Sequence, residues 1–190
     1  MLKKLLVPVL LSCMLLAVTP VLAMPPTGEK GGKTNYTLLL VPKDPSTWEF
    51  LWPGNVNGTG TSFGLLKFEQ TGATFDFGFN GHGLRPNTDY SIIYYLDMYD
   101  AWGRTIWPHK ILILANGTSN SGGNVNISAS VQIGENLPMP GDANYTSGAK
   151  IWLVLSSDIR YTSGDYGLIF GWNPTAYLFE YDLITYDYLE

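Results

Sequence analysis

The chain has 190 residues and a formal net charge of −5, with 11 Lys and Arg residues against 16 Asp and Glu residues. This acidic balance argues against a protein that binds nucleic acid or anionic membrane surfaces. Hydrophobic residues make up 45% of the chain and charged residues only 14%, a composition that excludes a disordered acidic tail and indicates a folded domain.

The amino-terminal 23 residues have the pattern of a secretory signal peptide. Lys3 and Lys4 precede an apolar run that ends in small residues at Ala23. The alternative is a retained membrane anchor, because the run approaches the length of a membrane helix. We expect cleavage after Ala23, no membrane span afterwards, and a secreted or cell-surface protein. The remaining 167 residues have a net charge of −7 and lack Cys13, so we expect no disulfide.

The rest of the chain reads as a short linker followed by one β domain. Residues 24–34 are rich in Gly and Pro and predict a flexible linker, and residues 35–190 predict a single β-sandwich domain. Short runs of apolar, aromatic and β-branched residues between turn signals predict strands. In chain order these runs are Tyr36–Val41, Trp48–Trp52, Ser62–Gln70, Thr74–Asn80, Asp89–Asp97, Lys110–Ala115, Asn124–Val131, Lys150–Ser156, Leu168–Trp172, Tyr177–Tyr181 and Leu183–Tyr188.

Three features of these runs predict how the strands are arranged. Ser62–Gln70 and Thr74–Asn80 are close enough to form a hairpin, and Lys110–Ala115 and Asn124–Val131 are predicted to form the next pair. Lys150–Ser156 is apolar throughout, which predicts a central strand. The segment Tyr177–Tyr188 is predicted to contain an edge strand, through which copies of the chain associate.

A short motif at the start of the fifth run carries the most specific fold signal. Leu84, Pro86, Thr88 and Tyr90 have the spacing Leu-x-Pro-x-Thr-x-Tyr, which resembles the tyrosine corner of immunoglobulin-like and fibronectin type III sandwiches. In that motif the tyrosine hydroxyl bonds to the backbone just upstream. An ordinary turn followed by a tyrosine is the alternative. The motif and the regular succession of strands predict an all-β fold, an antiparallel immunoglobulin-like β-sandwich with more than seven strands.

Several stretches resemble a set of secreted proteins from methane-producing archaea. These stretches are Gly81–Leu84, Gly148–Val154, Trp172–Pro174 and Tyr177–Glu180. The resemblance covers most of the chain from Thr34 to Tyr188. The family is functionally uncharacterised, so the resemblance implies a secreted single domain and supplies no catalytic residues.

Two patterns are compatible with catalysis or metal binding, and neither is specific. Gly60–Gly64 matches the Gly-x-Ser-x-Gly elbow of α/β-hydrolases, but that elbow requires a strand before it and a helix after it. His82 and His109 are the only histidines, and nothing in their spacing to Asp97 or Asp100 signals a metal site. We therefore expect no enzyme, no metal and no cofactor, and a small secreted hydrolase is the weakest alternative.

Glycosylation sequons are more frequent than the composition predicts, with five present against about two expected. We expect a glycoprotein modified at one or more of Asn35, Asn57, Asn116, Asn126 and Asn144.

Aromatic residues in one loop predict a binding surface. Tyr99, Asp100, Trp102 and Trp107 combine aromatic rings with a carboxylate, as sugar-binding sites and protein interfaces do. The alternative is that these rings close the open end of the sandwich. The leading hypothesis is a non-enzymatic cell-surface protein, structural or adhesive, such as a sheath or surface-layer component. Its expected partners are cell-envelope proteins or glycans, and a carbohydrate-binding module is the second hypothesis.

Overall fold

The computed structural model describes residues 35–53, 62–100, 102–104 and 106–190. The predicted signal peptide, the predicted linker, Asn57, Gly60 and Thr61 lie outside the described residues. Strands dominate the described part of the chain. They are β1 (Asn35–Val41), β2 (Phe63–Glu69), β3 (Thr71–Gly72), β4 (Phe75–His82), β5 (Asp89–Tyr95), β6 (His109–Thr118), β7 (Val125–Val131), β8 (Lys150–Leu155), β9 (Ile159–Ser163), β10 (Tyr166–Ile169), β11 (Phe179–Glu180) and β12 (Asp187–Tyr188).

These strands form two five-stranded antiparallel sheets and one small parallel pair. The first sheet has the order β11-β1-β2-β4-β7 and the second has the order β8-β5-β6-β10-β9, while β12 pairs with β3. Buried side chains from both sheets belong to one hydrophobic core. The all-β antiparallel fold predicted from the sequence is therefore confirmed, with more than the seven strands of the smallest immunoglobulin sandwiches. Two 3₁₀ turns, Ser156–Asp158 and Pro174–Ala176, are the helical elements, and no helix in the described residues is long and apolar enough to cross a membrane.

The Phe-rich strand β4 lies in the middle of the first sheet. Phe75, Phe77 and Phe79 alternate with more exposed residues, as a period of two requires, and all three are buried. β4 pairs with β2 on one side, with Phe68 opposite Phe77, which confirms the predicted hairpin. On its other side β4 pairs with β7.

The corner motif connects β4 of the first sheet to β5 of the second. Tyr90 is fully buried, and its hydroxyl oxygen accepts a hydrogen bond from the backbone N–H of Arg85 at 3.1 Å. Leu84 is buried beside it, and its N–H donates to the Gly123 carbonyl at 2.9 Å. The crossover between the sheets is thus held by hydrogen bonds at both ends of the motif.

The turn inside the motif has the backbone geometry that its residues favour. Asn87 has φ +49°, in the left-handed region that Asn tolerates better than most residues. The Thr88 hydroxyl donates to the Pro86 carbonyl at 2.9 Å, and the Thr88 N–H donates to the Ser119 hydroxyl at 3.0 Å.

Three of the predicted strand arrangements are wrong. Trp48–Trp52 is not a strand, because the Asp44 carboxylate accepts hydrogen bonds from the Ser46 and Thr47 N–H groups and holds a turn, which leaves one bridge between Lys43 and Phe50. β6 and β7 do not pair with each other, because they lie in different sheets.

The predicted central position of β8 is also wrong, because β8 is the outermost named strand of its sheet. Its apolar character has another cause. Leu153 forms a bridge with Leu178, and aromatic rings cover Trp152, so the strand is buried without a second long neighbour.

The carboxyl-terminal segment is only in part the edge strand that the sequence predicts, because β11 is the outermost named strand of the first sheet whereas residues 184–188 are bridged on both sides. Tyr186 is fully buried, and its hydroxyl donates to the Gly72 carbonyl at 2.5 Å. Ile184 is buried and bridges Ala149, and Tyr186 bridges Leu137. Residues 184–188 therefore contribute to the core.

Candidate ligand-binding site

Strands β5, β6 and β8 supply the floor of an aromatic pocket. Tyr95 and Trp152 stack with ring centroids 3.8 Å apart and 21° between their planes. Tyr95 is the register partner of Lys150, and side chains alternate along β5, so these groups lie on the opposite face of β5 from Tyr94. His109, the first residue of β6, packs its ring 4.8 Å from that of Tyr95.

The walls come from two segments distant in sequence. Phe179 packs edge-on against Trp152 at 5.0 Å, and Trp172 lies 6.1 Å from the same ring. Trp48 contacts both wall residues, with its ring centroid 5.8 Å from each of theirs. The result is a continuous aromatic surface from Tyr95 to Trp48.

Trp48 reaches this position with an unusual backbone. Its φ is +62°, in the left-handed region that bulky residues avoid at a cost of about 1–2 kcal/mol. The turn at Asp44 holds it there, since the Trp48 N–H donates to the Asp44 carbonyl at 2.8 Å. The indole nevertheless remains 48% exposed at the rim of the pocket.

The cavity bounded by these residues has a volume of about 580 Å³, within the range of small-molecule sites. We refer to it as the aromatic pocket. Its lining residues are Lys43, Trp48, Tyr95, Asp97, Trp107, His109, Lys150, Trp152, Trp172 and Phe179.

One ion pair lies in the pocket wall. The Lys150 ammonium donates to the Asp97 carboxylate in a salt bridge, with both side chains mostly buried. The same carboxylate oxygen accepts a hydrogen bond from the Asn144 amide at 2.7 Å. These contacts fix the position of the carboxylate and neutralise one positive charge of the pocket.

Three buried polar atoms have no hydrogen-bond partner among the described residues: His109 Nδ1, Trp152 Nε1 and Glu180 Oε2. His109 and Trp152 line the pocket, and Glu180 follows the lining residue Phe179. Burial lowers the pKa of His109, an effect that Asp97 opposes and Lys150 reinforces, so the imidazole is neutral at pH 7. Both residues line the pocket, but the two nitrogens themselves are shielded from solvent.

Burial also raises the pKa of the Glu180 carboxyl to about 7, although a hydrogen bond from its own backbone and the charges of Lys43 and Lys150 favour the ionised form. The Trp152 indole favours the ionised form as well, without reaching hydrogen-bond geometry. The pKa of Lys43 is lowered chiefly by burial. The charge near the pocket therefore changes around neutral pH.

Of the four residues predicted to bind a ligand, only Trp107 lines the aromatic pocket. Its indole is 51% exposed and meets the His109 ring edge-on at 5.3 Å. Trp102 is 78% exposed and lies outside the pocket, with the Arg104 guanidinium 5.1 Å from its ring. Asp100 is occupied by Arg104 and by the Trp102 N–H, and Tyr99 is exposed.

The two histidines are separated in the structure. His82 is exposed at the end of β4, where its Nδ1 lies 2.9 Å from the Asn124 amide oxygen and its ring packs on Phe63. Within the described part of the chain, no group of three or more His, Cys, Asp or Glu side chains is placed to hold a metal ion. Ser62 leads directly into strand β2, so the strand–turn–helix geometry of a hydrolase elbow is not formed.

The asparagines of the described sequons differ in whether their side-chain amides form hydrogen bonds within the fold. Asn35 and Asn126 are exposed. The Asn116 amide donates to the Tyr161 hydroxyl at 2.9 Å, and its oxygen accepts from Ser91. The half-buried Asn144 amide donates to Asp97 and, at 3.3 Å, to Asp142. A glycan on Asn144 would disturb the pocket wall, whereas Asn35 and Asn126 are free of this conflict.

Comparisons of the chain with protein-family models, with curated proteins and with solved structures found no match. The functional assignment of the aromatic pocket therefore rests on its own geometry and chemistry.

Proposed function

We propose that the protein is a non-enzymatic, extracellular carbohydrate-binding module with an adhesive role at the cell surface, where glycans of the cell envelope are its partners. One observation carries the proposal. The aromatic pocket combines the partly exposed indole rings of Trp48, Trp107 and Trp172 with the polar side chains of Lys43 and Asp97 in one lining.

Sugars are complementary both to the aromatic rings and to the polar groups of the aromatic pocket. The C–H faces of a pyranose ring stack on aromatic rings such as those of Trp48 and Trp172, which remain partly exposed. Sugar hydroxyls both donate and accept hydrogen bonds, so they suit a lining that offers the Lys43 ammonium as a donor and the Asp97 carboxylate as an acceptor. A purely apolar ligand would desolvate these polar groups without pairing them, at about 1–3 kcal/mol each.

The cell-surface setting comes from the sequence, namely the predicted signal peptide, the excess of sequons and the resemblance to archaeal secreted proteins. A structural role in a sheath or surface layer stays compatible with sugar binding. Self-association through the carboxyl-terminal segment is not part of the proposal, since that segment lies in the core.

A glycan array followed by titration calorimetry tests the proposal. The secreted protein should show saturable binding to one or more glycans, and Trp107→Ala or Trp172→Ala should weaken it about tenfold or more. Trp102→Ala is the matched control, because it removes the same side chain from a site outside the pocket, and should leave affinity unchanged. No saturable binding by wild type, or equal losses in all three variants, would contradict the proposal.

A further inference from the structure

A second group of aromatic rings lies next to the aromatic pocket. Phe50, Trp52 and Tyr181 pack against one another, with centroid distances of 5.4 Å from Phe50 to Tyr181 and 4.8 Å from Trp52 to Tyr181. Tyr181 is 47% exposed, and none of the three rings lines the pocket. We call this group the aromatic platform.

Lys43 connects the platform to the pocket. Its Nζ lies 4.5 Å from the Phe50 ring centroid, on the platform side. It also lies 5.9 Å from the Trp48 ring and 5.4 Å from the Phe179 ring, both in the pocket wall. The two aromatic surfaces therefore meet at one ammonium group, and units linked in a single chain can occupy both.

The Lys43 ammonium differs from the other lysine of the pocket. Lys150 has the Asp97 carboxylate as its partner, whereas Lys43 makes no salt bridge or hydrogen bond to any residue that the structure describes. Glu180 acts on Lys43 through its charge without contacting it, and Glu180 is buried. An ammonium group has three N–H donors, and an anionic oxygen is its strongest acceptor.

We infer that the ligand is an acidic oligosaccharide of at least two units, with one unit in the aromatic pocket, its neighbour on the aromatic platform and its anionic group on Lys43. The anionic group is a carboxylate or a sulfate, which offer the ammonium the same charge-assisted hydrogen bond. This inference rests on the proposed function and specifies its ligand class.

Calorimetry with defined sugars separates the effect of the ligand's charge on affinity from the effect of its number of sugar units. The probes are galacturonic acid and its oligomers of two to four units, the methyl esters of those oligomers, and sulfated galactose oligomers of equal length. The wild-type protein should bind an acidic dimer about tenfold more tightly than the acidic monomer or the neutral ester. If only the sulfated series shows this preference, the anionic group is sulfate and the inference stands.

Variants assign each effect to its residue. Lys43→Met should abolish the preference for acid over ester, Lys43→Arg should retain it, and Tyr181→Ala should abolish the gain from monomer to dimer while leaving monomer binding intact. Lys67→Met, which removes an exposed lysine outside the pocket and the platform, is the control and should change none of these ratios. Thermal melts check that each variant is folded.

The outcomes distinguish the two proposals. Equal affinity for acids and esters in wild type, or a preference that survives in Lys43→Met, would overturn the inference while leaving a neutral sugar in the pocket. Failure of every sugar to bind would overturn the proposed function itself.

Discussion

Glu180 should make the stability of this protein fall as pH rises through neutrality. Burial raises its pKa from 4.5 to about 7 in the folded protein. The folded state binds the Glu180 proton more tightly than the unfolded state does. The contribution of Glu180 to stability is therefore largest below the unfolded pKa of 4.5. That contribution declines between pH 4.5 and 7 and is lost above the folded pKa. A shift of this size corresponds to about 3 kcal/mol.

Glu180→Gln isolates this contribution because glutamine has the same shape and does not titrate. Urea denaturation of wild type and variant from pH 4 to pH 8 gives the free energy of unfolding of each. The variant should gain about 3 kcal/mol relative to wild type across that range, with most of the change between pH 5 and 7. Other groups, including His109, titrate in both proteins, so their effects largely cancel in the difference.

The control is Glu49→Gln, which removes a carboxylate at an exposed position. A pH-independent difference between Glu180→Gln and wild type would refute the reasoning, because it would mean that the Glu180 carboxyl ionises as it does in the unfolded chain. A constant offset added to a pH-dependent difference would report only the new amide contacts.

Three further substitutions or deletions test the fold, each by chemical denaturation. Tyr90→Phe should lower the free energy of unfolding by about 1 kcal/mol, because it leaves the Arg85 N–H without its acceptor. Arg85→Ala keeps that N–H and should lower it by about 0.5 kcal/mol or less. Equal losses would mean that the corner hydrogen bond contributes nothing. At Trp48, where φ is +62°, glycine should be more stable than alanine by about 1 kcal/mol, and the opposite order would mean that the backbone is not strained. Deleting Leu183–Glu190 should cost at least about 3 kcal/mol, because Tyr186 is fully buried; a loss below 1 kcal/mol would contradict its core role.

The strands of the first sheet could be predicted well because their patterns are local. β4 alternates buried rings with exposed residues, and β7 does the same with Val125 and Ile127 facing the core, so a period of two defined both. Partner choice was harder to predict. Closeness in sequence predicts that β6 and β7 pair, but β7 pairs with β4, because a turn at Asn120 carries the chain from one sheet to the other.

Apolar runs near β8 and the chain end were misread for a related reason. An apolar run predicts that a strand is buried, but it does not predict which element packs against that strand. β8 is covered by rings from the segment around Phe179 and not by a second long strand. Tyr186 is covered by Phe75, whose ring meets it edge-on at 5.2 Å.

The pocket was largely beyond sequence analysis because its parts come from distant segments. Trp107 is predicted to bind a ligand, whereas Trp152 lies in a strand predicted to be central, and the structure places both around one cavity. The number of tryptophans was a signal, but their grouping was not available from spacing. Lys43 lies between two predicted strands and Trp48 begins the second of them, so neither position predicts a pocket.

The buried polar groups without a hydrogen-bond partner in the described part of the chain are on residues of the aromatic pocket or next to one of them. Elsewhere buried polar side chains are satisfied: Ser91 bonds to Asn116 and Ser156, and Asp142 bonds to Tyr94.

At the pocket the pattern is reversed. His109 and Trp152 each present a buried nitrogen without a protein partner, Glu180 has an unpaired oxygen, and Trp48 has a left-handed backbone. Each of these features is destabilising by about 1–3 kcal/mol in isolation. Buried polar groups are hydrogen-bonded in the rest of the described fold and lack partners around one aromatic cavity. A local loss of stability of this kind is typical of a functional site. A ligand in the aromatic pocket would bind the folded state and not the unfolded chain, and binding should therefore raise the melting temperature of the protein.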